Sequence, residues 1–129
     1  MGRSHVLLVS DDSDARELYT DWFARTADLR TTCTPAFEHV DALLDLARPD
    51  VVLVDLAHVG QWQACASLGQ RADAPPLVVL TGWIAADGRF RKRAFDAGCA
   101  AFIGKPCHPR VLVTVLRRVL DGERHIAMA

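Results

Sequence analysis

The sequence lacks any apolar run long enough to cross a membrane, and it lacks the pattern of a secretory signal peptide. Asp11 and Asp12 follow too soon after the first apolar residues to leave room for a signal peptide. None of the four cysteines forms a C-x-x-C pair, so neither a zinc ribbon nor a thioredoxin-like redox site is supported. These absences predict a cytoplasmic protein with reduced thiols that does not bind membranes.

Neither sign of charge is in excess, since 15 lysines and arginines face 16 aspartates and glutamates and the net charge is -1. This balance gives no reason to expect bulk electrostatic binding to nucleic acid or to an anionic membrane. The 129 residues are enough for one domain that buries its own core. We therefore expect a single domain over residues 1–129, with a core of about 5–121 and a short, frayed carboxyl-terminal tail.

Short apolar runs alternate along the chain with segments that have the apolar spacing of helices. Nearly continuous apolar character is typical of strands that are covered on both faces. The alternation therefore predicts an α/β fold, in which a five-stranded parallel sheet carries helices on both faces. The expected strands are 6–9, 29–34, 51–54, 77–80 and 101–103, and the expected helices lie within 13–23, 37–47, 61–71, 87–97 and 111–120.

Polar residues collect where the expected strands end. Ser10, Asp11 and Asp12 follow the first strand, Asp55 ends the third, and Thr81 and Lys105 follow the fourth and fifth. Ligands of open parallel sheets bind outside these carboxyl ends. Neighbouring carboxylates call for a hard cation such as Mg²⁺, and an ammonium with a hydroxyl suits the oxygens of a phosphoryl group. The set predicts a site for phosphoryl transfer to a carboxylate.

Four motifs in this order, SDDSDAREL, VLVDL, VVLTG and AGCAAFIGKP, resemble the receiver domain of two-component response regulators over nearly the whole chain. The resemblance implies a flavodoxin-like, doubly wound sheet with strand order 2-1-3-4-5 and five helices. It also implies a magnesium-dependent switch that catalyses its own phosphorylation and dephosphorylation. The expected donor is a phosphohistidine on a sensor histidine kinase or a histidine phosphotransfer protein. The expected receiver of the signal is a downstream protein, with no direct contact to nucleic acid.

The resemblance also assigns roles to single residues. Asp55 matches the phosphoacceptor, and Lys105 matches the lysine that bridges the phosphoryl group and the acidic cluster. Thr81 matches the switch hydroxyl, and Phe102 matches the aromatic residue that shifts with it. The backbone carbonyl of Ala57, two positions after the acceptor, matches a metal ligand.

The acidic positions after the first strand depend on the register. If strand one keeps the family register, Ser10 takes the first acidic position, Asp11 becomes the direct metal ligand, and Asp12 takes a third, often acidic position. A slip by one residue would make Asp11 and Asp12 the pair but would misplace the strand. We favour the first register, which predicts weaker Mg²⁺ binding than a full acidic pair. The Lys105-Pro106 bond resembles the cis peptide of the family.

Other interpretations stay open from the residues alone. In one alternative, capping the first helix is the sole role of Asp11 and Asp12. In another, Phe102 is an ordinary residue of the hydrophobic core. A pseudo-receiver, a binding module that keeps the fold without phosphorylation, is favoured by Ser10 and by the loop after Asp55, which lacks the usual Met-Pro and Asp-Gly. An unrelated nucleotide binder is disfavoured, because no glycine-rich phosphate loop follows strand one. Trp83 could lie over the site and slow hydrolysis of an acyl phosphate.

Overall fold

A computed structural model describes residues 4–26, 28–56, 62–82 and 88–128, with the backbone alone at 88 and 90. Strands and helices alternate along these segments, as the apolar pattern predicts. The strands are β1 Ser4–Val9, β2 Leu29–Thr34, β3 Val51–Leu56, β4 Leu77–Thr81, β5 Cys99–Gly104 and β6 Ile126–Met128. The helices are α1 Ser13–Thr26, α2 Val40–Ala47, α3 Trp62–Gly69, α4 Gly88–Asp96 and α5 Pro109–Leu120, and a 3-10 turn over Phe37–His39 leads into α2.

The sheet has the flavodoxin-like order that was expected, with one strand more. Its order is β2-β1-β3-β4-β5-β6 over the described residues, and the neighbouring strands are paired in parallel. The prediction of five strands and a frayed tail is therefore wrong at the carboxyl terminus. Ile126 pairs with Ala101 on β5 and is only 6% exposed, so burial of this one side chain fixes a short edge strand.

Strand alternation divides the core into two layers. Val6 and Leu8 face the layer beneath α1 and α5, where they join Phe23 and Leu116. Leu7, between them on β1, faces the layer beneath α2 and α3. Because both faces of the sheet are covered at its centre, β3, β4 and β5 are buried along their whole length, which accounts for their nearly continuous apolar runs in the sequence.

Two glycines allow α3 and the end of α4 to approach each other. Gly98 has φ 101°, which is the left-handed conformation expected after a helix. A Cβ at Gly69 would overlap the carbonyl oxygen of Ala97. The glycine that weakens α3 as an isolated helix therefore serves packing in the folded chain.

None of the helices in the described segments is long and apolar enough to span a membrane.

Candidate functional site

The parallel register brings the polar strand ends to one rim of the sheet. Val9 pairs with Val54, so Ser10 and Asp55 follow side by side at the ends of β1 and β3. Leu56 pairs with Thr81, and the backbone N–H of Lys105 donates to the carbonyl oxygen of Thr81 at 2.9 Å. The structure thus places Ser10, Asp55, Thr81 and Lys105 on adjacent strand ends, at the position where open α/β sheets bind ligands.

Asp55 is a buried carboxylate with a different partner on each oxygen. Its side chain is 6% exposed, at the end of a strand whose other residues are all apolar. The hydroxyl of Ser10 donates to Oδ2 at 2.8 Å, and the ammonium of Lys105 forms an ion pair with Oδ1. A carboxylate in so little contact with water needs partners of this kind. The peptide bond between Lys105 and Pro106 is cis, as the resemblance implies.

The two aspartates after β1 have separate surroundings. Asp12 Oδ1 accepts the backbone N–H of Asp14 at 2.9 Å, so this carboxylate caps the first turn of α1. Asp11 is exposed beside it. Ser10, the residue that the favoured register puts in the first acidic position, donates the hydrogen bond to Asp55.

The side chains at the rim can be compared with the ligands that Mg²⁺ requires. Among the described residues, no group of three or more histidine, cysteine, aspartate or glutamate side chains could hold a metal ion. Mg²⁺ does not require such a cage, because it keeps several water ligands and is held by one or two carboxylates. Asp55 and the exposed Asp11 fit that requirement, whereas the capping role of Asp12 draws it toward the helix. Ala57, the expected carbonyl ligand, lies outside the described residues, as does Trp83.

Thr81 and Phe102 are both fully buried, but in different chemical settings. The Thr81 hydroxyl oxygen has no hydrogen-bond partner in the part of the chain that the structure describes. An unpaired buried hydroxyl is uncommon and is often found where a ligand group completes the bonding. Phe102 packs in the apolar layer beneath α2 and α3, together with Val79, its partner on β4.

Two residues at the rim were not singled out from the sequence. Arg16, on the first turns of α1, donates from Nη1 to the carbonyl oxygen of Ser10 at 2.7 Å and so fixes the end of β1. Tyr19 lies within the segment 13–23, which was expected only to be helical. Burial, and then the negative charge of Asp55, raise the pKa of Tyr19 above its usual value of 10.0. The spacing of apolar residues in the sequence does not predict contacts of this kind, because they depend on how α1 is placed on the sheet.

Comparison with known proteins gives one family and many similar folds. A family model described as the response regulator receiver domain matches residues 6–117. The receiver domain of a signal transduction histidine kinase from Syntrophus aciditrophicus is 26% identical, with a TM-score of 0.77, covering 92% of this chain and 91% of that one. A LuxR-family two-component response regulator from an Aurantimonas species is 25% identical, with a TM-score of 0.80 and coverages of 98% and 91%.

Chemotaxis response regulator CheY4 of Vibrio cholerae has the same fold at 19% identity, with a TM-score of 0.77 and coverages of 91% of this chain and 98% of that one. No curated protein matches the sequence.

Proposed function

The chain belongs to the response regulator receiver domain family, and from this premise we propose that it is a phosphorylation switch with Asp55 as the phosphoacceptor. One observation carries the proposal: the buried Asp55 carboxylate lies at the carboxyl end of the central strand β3 and forms an ion pair with Lys105. A buried acid held beside an ammonium at the ligand-binding rim combines a nucleophile with a countercharge for phosphoryl oxygens.

The proposed donor is a phosphohistidine on a sensor histidine kinase or a histidine phosphotransfer protein. An electron pair of one Asp55 oxygen forms the new O–P bond as the P–N bond of the donor breaks. The electron pair of the broken bond stays on the imidazole nitrogen, and the ring leaves as neutral imidazole with the proton that its other nitrogen already carries. Most of the catalysis in such a transfer comes from position and charge.

Lys105 and Thr81 are proposed to hold the transferred group. The Lys105 side chain is 36% exposed, so its ammonium can move from Asp55 to a phosphoryl oxygen while its stem stays in place. The buried hydroxyl of Thr81 then donates to another phosphoryl oxygen and gains the partner that it lacks among the described residues. Asp55, Asp11 and the backbone carbonyl of Ala57 would hold Mg²⁺, which would supply positive charge to offset that of the phosphoryl group.

Movement of Thr81 is proposed to be the output of the switch. Thr81 ends β4, and its carbonyl oxygen is bonded to Lys105 at the end of β5, so both strands share any shift. Phe102 lies on β5 within the core, and we propose that it repacks with Thr81 and changes the surface of α4, β5 and α5. A downstream protein in the cytoplasm would read that surface, without direct binding to nucleic acid.

A pseudo-receiver that binds a partner without phosphorylation is the second candidate. The hydrogen bond from Ser10 to Asp55 favours it, because a neutral donor stands beside the acceptor where the family pattern has an acid. Such a protein would keep the fold and the rim but would not accept a phosphoryl group.

Intact-mass measurement after incubation with acetyl phosphate and MgCl₂ separates the two candidates. We expect the mass of one added phosphoryl group in the wild type and none in Asp55→Asn. The matched control Asp21→Asn, an exposed position on α1, should be labelled like the wild type. Removal of the cation with EDTA should greatly reduce the adduct.

A folded wild type that gains no phosphoryl group from acetyl phosphate, and none from a phosphorylated histidine phosphotransfer domain, would contradict the proposal and favour the pseudo-receiver.

A further inference from the structure

Ser10 is a buried polar residue that stands where the receiver-domain pattern has an acid. Its side chain is 1% exposed, and it lies at the end of β1 beside Asp55. The Ser10 hydroxyl is 2.8 Å from Asp55 Oδ2, and this hydrogen bond is buried. A serine at a strand end is commonly solvated, so complete burial against one carboxylate oxygen needs an explanation.

The direction of this hydrogen bond follows from the chemistry of its two partners. A carboxylate can only accept, so the Ser10 hydroxyl donates its one proton to Asp55. The backbone N–H of Asp12 donates to a lone pair of the same hydroxyl oxygen at 3.2 Å. The serine is therefore set as a donor to Oδ2.

The backbone of Ser10 is held as firmly as its side chain. Its N–H donates to the carbonyl oxygen of Thr34 on β2 at 3.1 Å. Its carbonyl oxygen accepts from the guanidinium of Arg16 at 2.7 Å. Contacts to β2, α1 and the turn between β1 and α1 thus leave Ser10 little freedom to move away from Asp55.

The two Asp55 oxygens consequently differ in how easily each is released. Oδ1 faces Lys105, whose flexible stem is partly exposed, whereas Oδ2 faces a rigid, buried donor. We propose that Ser10 is a positioning residue that holds Oδ2 and thereby presents Oδ1 to the phosphorus atom. This inference rests on the proposed phosphoacceptor function of Asp55.

The transfer can be written through these two oxygens. An electron pair of Oδ1 forms the O–P bond, and the bond from phosphorus to the leaving group breaks with its electron pair on that group. Oδ2 becomes the carbonyl oxygen of the acyl phosphate and keeps its hydrogen bond to Ser10. Lys105 loses its partner on Oδ1 as that oxygen gives up its charge, and its ammonium passes to a phosphoryl oxygen.

The rate of labelling by acetyl phosphate at saturating MgCl₂ tests the proposal. In Ser10→Ala, the maximal rate should fall about tenfold because the acceptor is no longer oriented, while the half-saturating acetyl phosphate concentration stays the same. Ser10→Thr keeps a hydroxyl and should restore most of the rate. The matched control Ser13→Ala, at the exposed start of α1, should leave the rate unchanged.

Titration of tryptophan fluorescence with MgCl₂ provides a readout that does not depend on phosphorylation and serves even if Ser10→Thr does not fold. A donor that occupies Oδ2 competes with a cation, so Ser10→Ala should bind Mg²⁺ as tightly as the wild type or more tightly. Ser10→Asp adds a carboxylate and should bind it about tenfold more tightly.

Weaker Mg²⁺ binding in Ser10→Ala would identify Ser10 as a cation ligand and overturn the proposal. A maximal rate in Ser10→Ala that equals the wild-type rate would also overturn it. Failure of the wild type itself to be labelled is a different result, because it contradicts the phosphoacceptor function on which the inference rests.

Discussion

The two ends of the sheet bury polar groups in opposite ways. At the amino end, His5 on β1 is 5% exposed and its polar atoms have partners. Its backbone N–H donates to Asp50 Oδ2 at 2.7 Å, and its carbonyl oxygen accepts the N–H of Asp50 at 2.8 Å. Its ring contacts the hydroxyl of Thr32 at 2.7 Å through Nε2 and the carbonyl oxygen of Ala47 at 3.3 Å through Nδ1. These hydrogen bonds join the start of β1 to β2, to the end of α2 and to the residue before β3.

At the carboxyl end, the buried polar groups are only partly matched. Thr81 has no partner for its hydroxyl among the described residues, and Asp55 depends on the partly exposed Lys105 for one of its oxygens. An unpaired buried hydroxyl costs about 1–3 kcal/mol of stability. His5 at the amino end thus has a partner for each of its polar atoms, whereas Thr81 and Asp55 at the carboxyl end leave groups available for a ligand.

Loss of the His5 ring should have the largest effect on stability. His5→Ala removes the partners of Thr32 and Ala47 and leaves a cavity, so the free energy of unfolding should fall by about 3 kcal/mol. Urea denaturation measures this change. The control His39→Ala, at a histidine whose side chain is 64% exposed, should change little. A loss of stability in His5→Ala as small as that of the control would show that the hydrogen bonds of His5 do not stabilise the fold.

A matched pair of threonine substitutions should give effects of opposite sign. Thr32→Val leaves His5 Nε2 without its partner and should lower the free energy of unfolding by about 1.5 kcal/mol. Thr81→Val removes an unpaired hydroxyl from a buried position and should raise it by about 1 kcal/mol, while slowing phosphoryl acceptance. Destabilisation by Thr81→Val would mean that its hydroxyl is already bonded, and the contrast between the two ends would fail.

The smallest expected effect concerns alkaline pH and Cys99, at the amino end of β5. Burial raises the pKa of this thiol from its ordinary value of 9.0 to about 12. Above the ordinary value, the unfolded chain releases the proton while the folded chain keeps it, so stability is complete below that pH and falls as pH rises toward the folded pKa. One pH unit above the ordinary value, the loss should be about 1 kcal/mol.

Urea denaturation of the wild type and Cys99→Ala across this pH interval measures that loss. The variant should lose less stability than the wild type as the pH rises, while the difference between the two proteins stays constant near neutral pH. Parallel curves at alkaline pH would show that Cys99 is not buried as the structure has it.

Sequence patterns predicted the sheet well where strands are buried on both faces. Strand β3 ends just after Asp55, because a continuous apolar run has few alternatives to burial. Strand β2 has the predicted bounds for another reason, since its β-branched residues favour a strand although it is only partly buried. The sixth strand was missed because only Ile126 of its three residues is buried, too little for a pattern. Leu18 has the apolar character expected of a core position in α1 but is 52% exposed, whereas Phe23 of the same helix is fully buried.

The location of the site could also be predicted, because strand direction alone decides which polar residues share a rim. What could not be predicted is how those residues bond to one another. The contact of Arg16 with the Ser10 carbonyl joins a side chain to a backbone atom across a turn, and the cap formed by Asp12 competes with its use as a cation ligand. Such choices depend on distances of a few tenths of an ångström, which residue spacing does not encode.

The most direct test of the central claim is to locate the phosphoryl group on the chain. Borohydride reduces an aspartyl phosphate to homoserine, so the labelled protein can be reduced, digested and sequenced by tandem mass spectrometry. We expect homoserine at position 55 and at no other aspartate. Homoserine at Asp11 or Asp12, with Asp55 unchanged, would show that the buried acid beside Lys105 is not the phosphoacceptor.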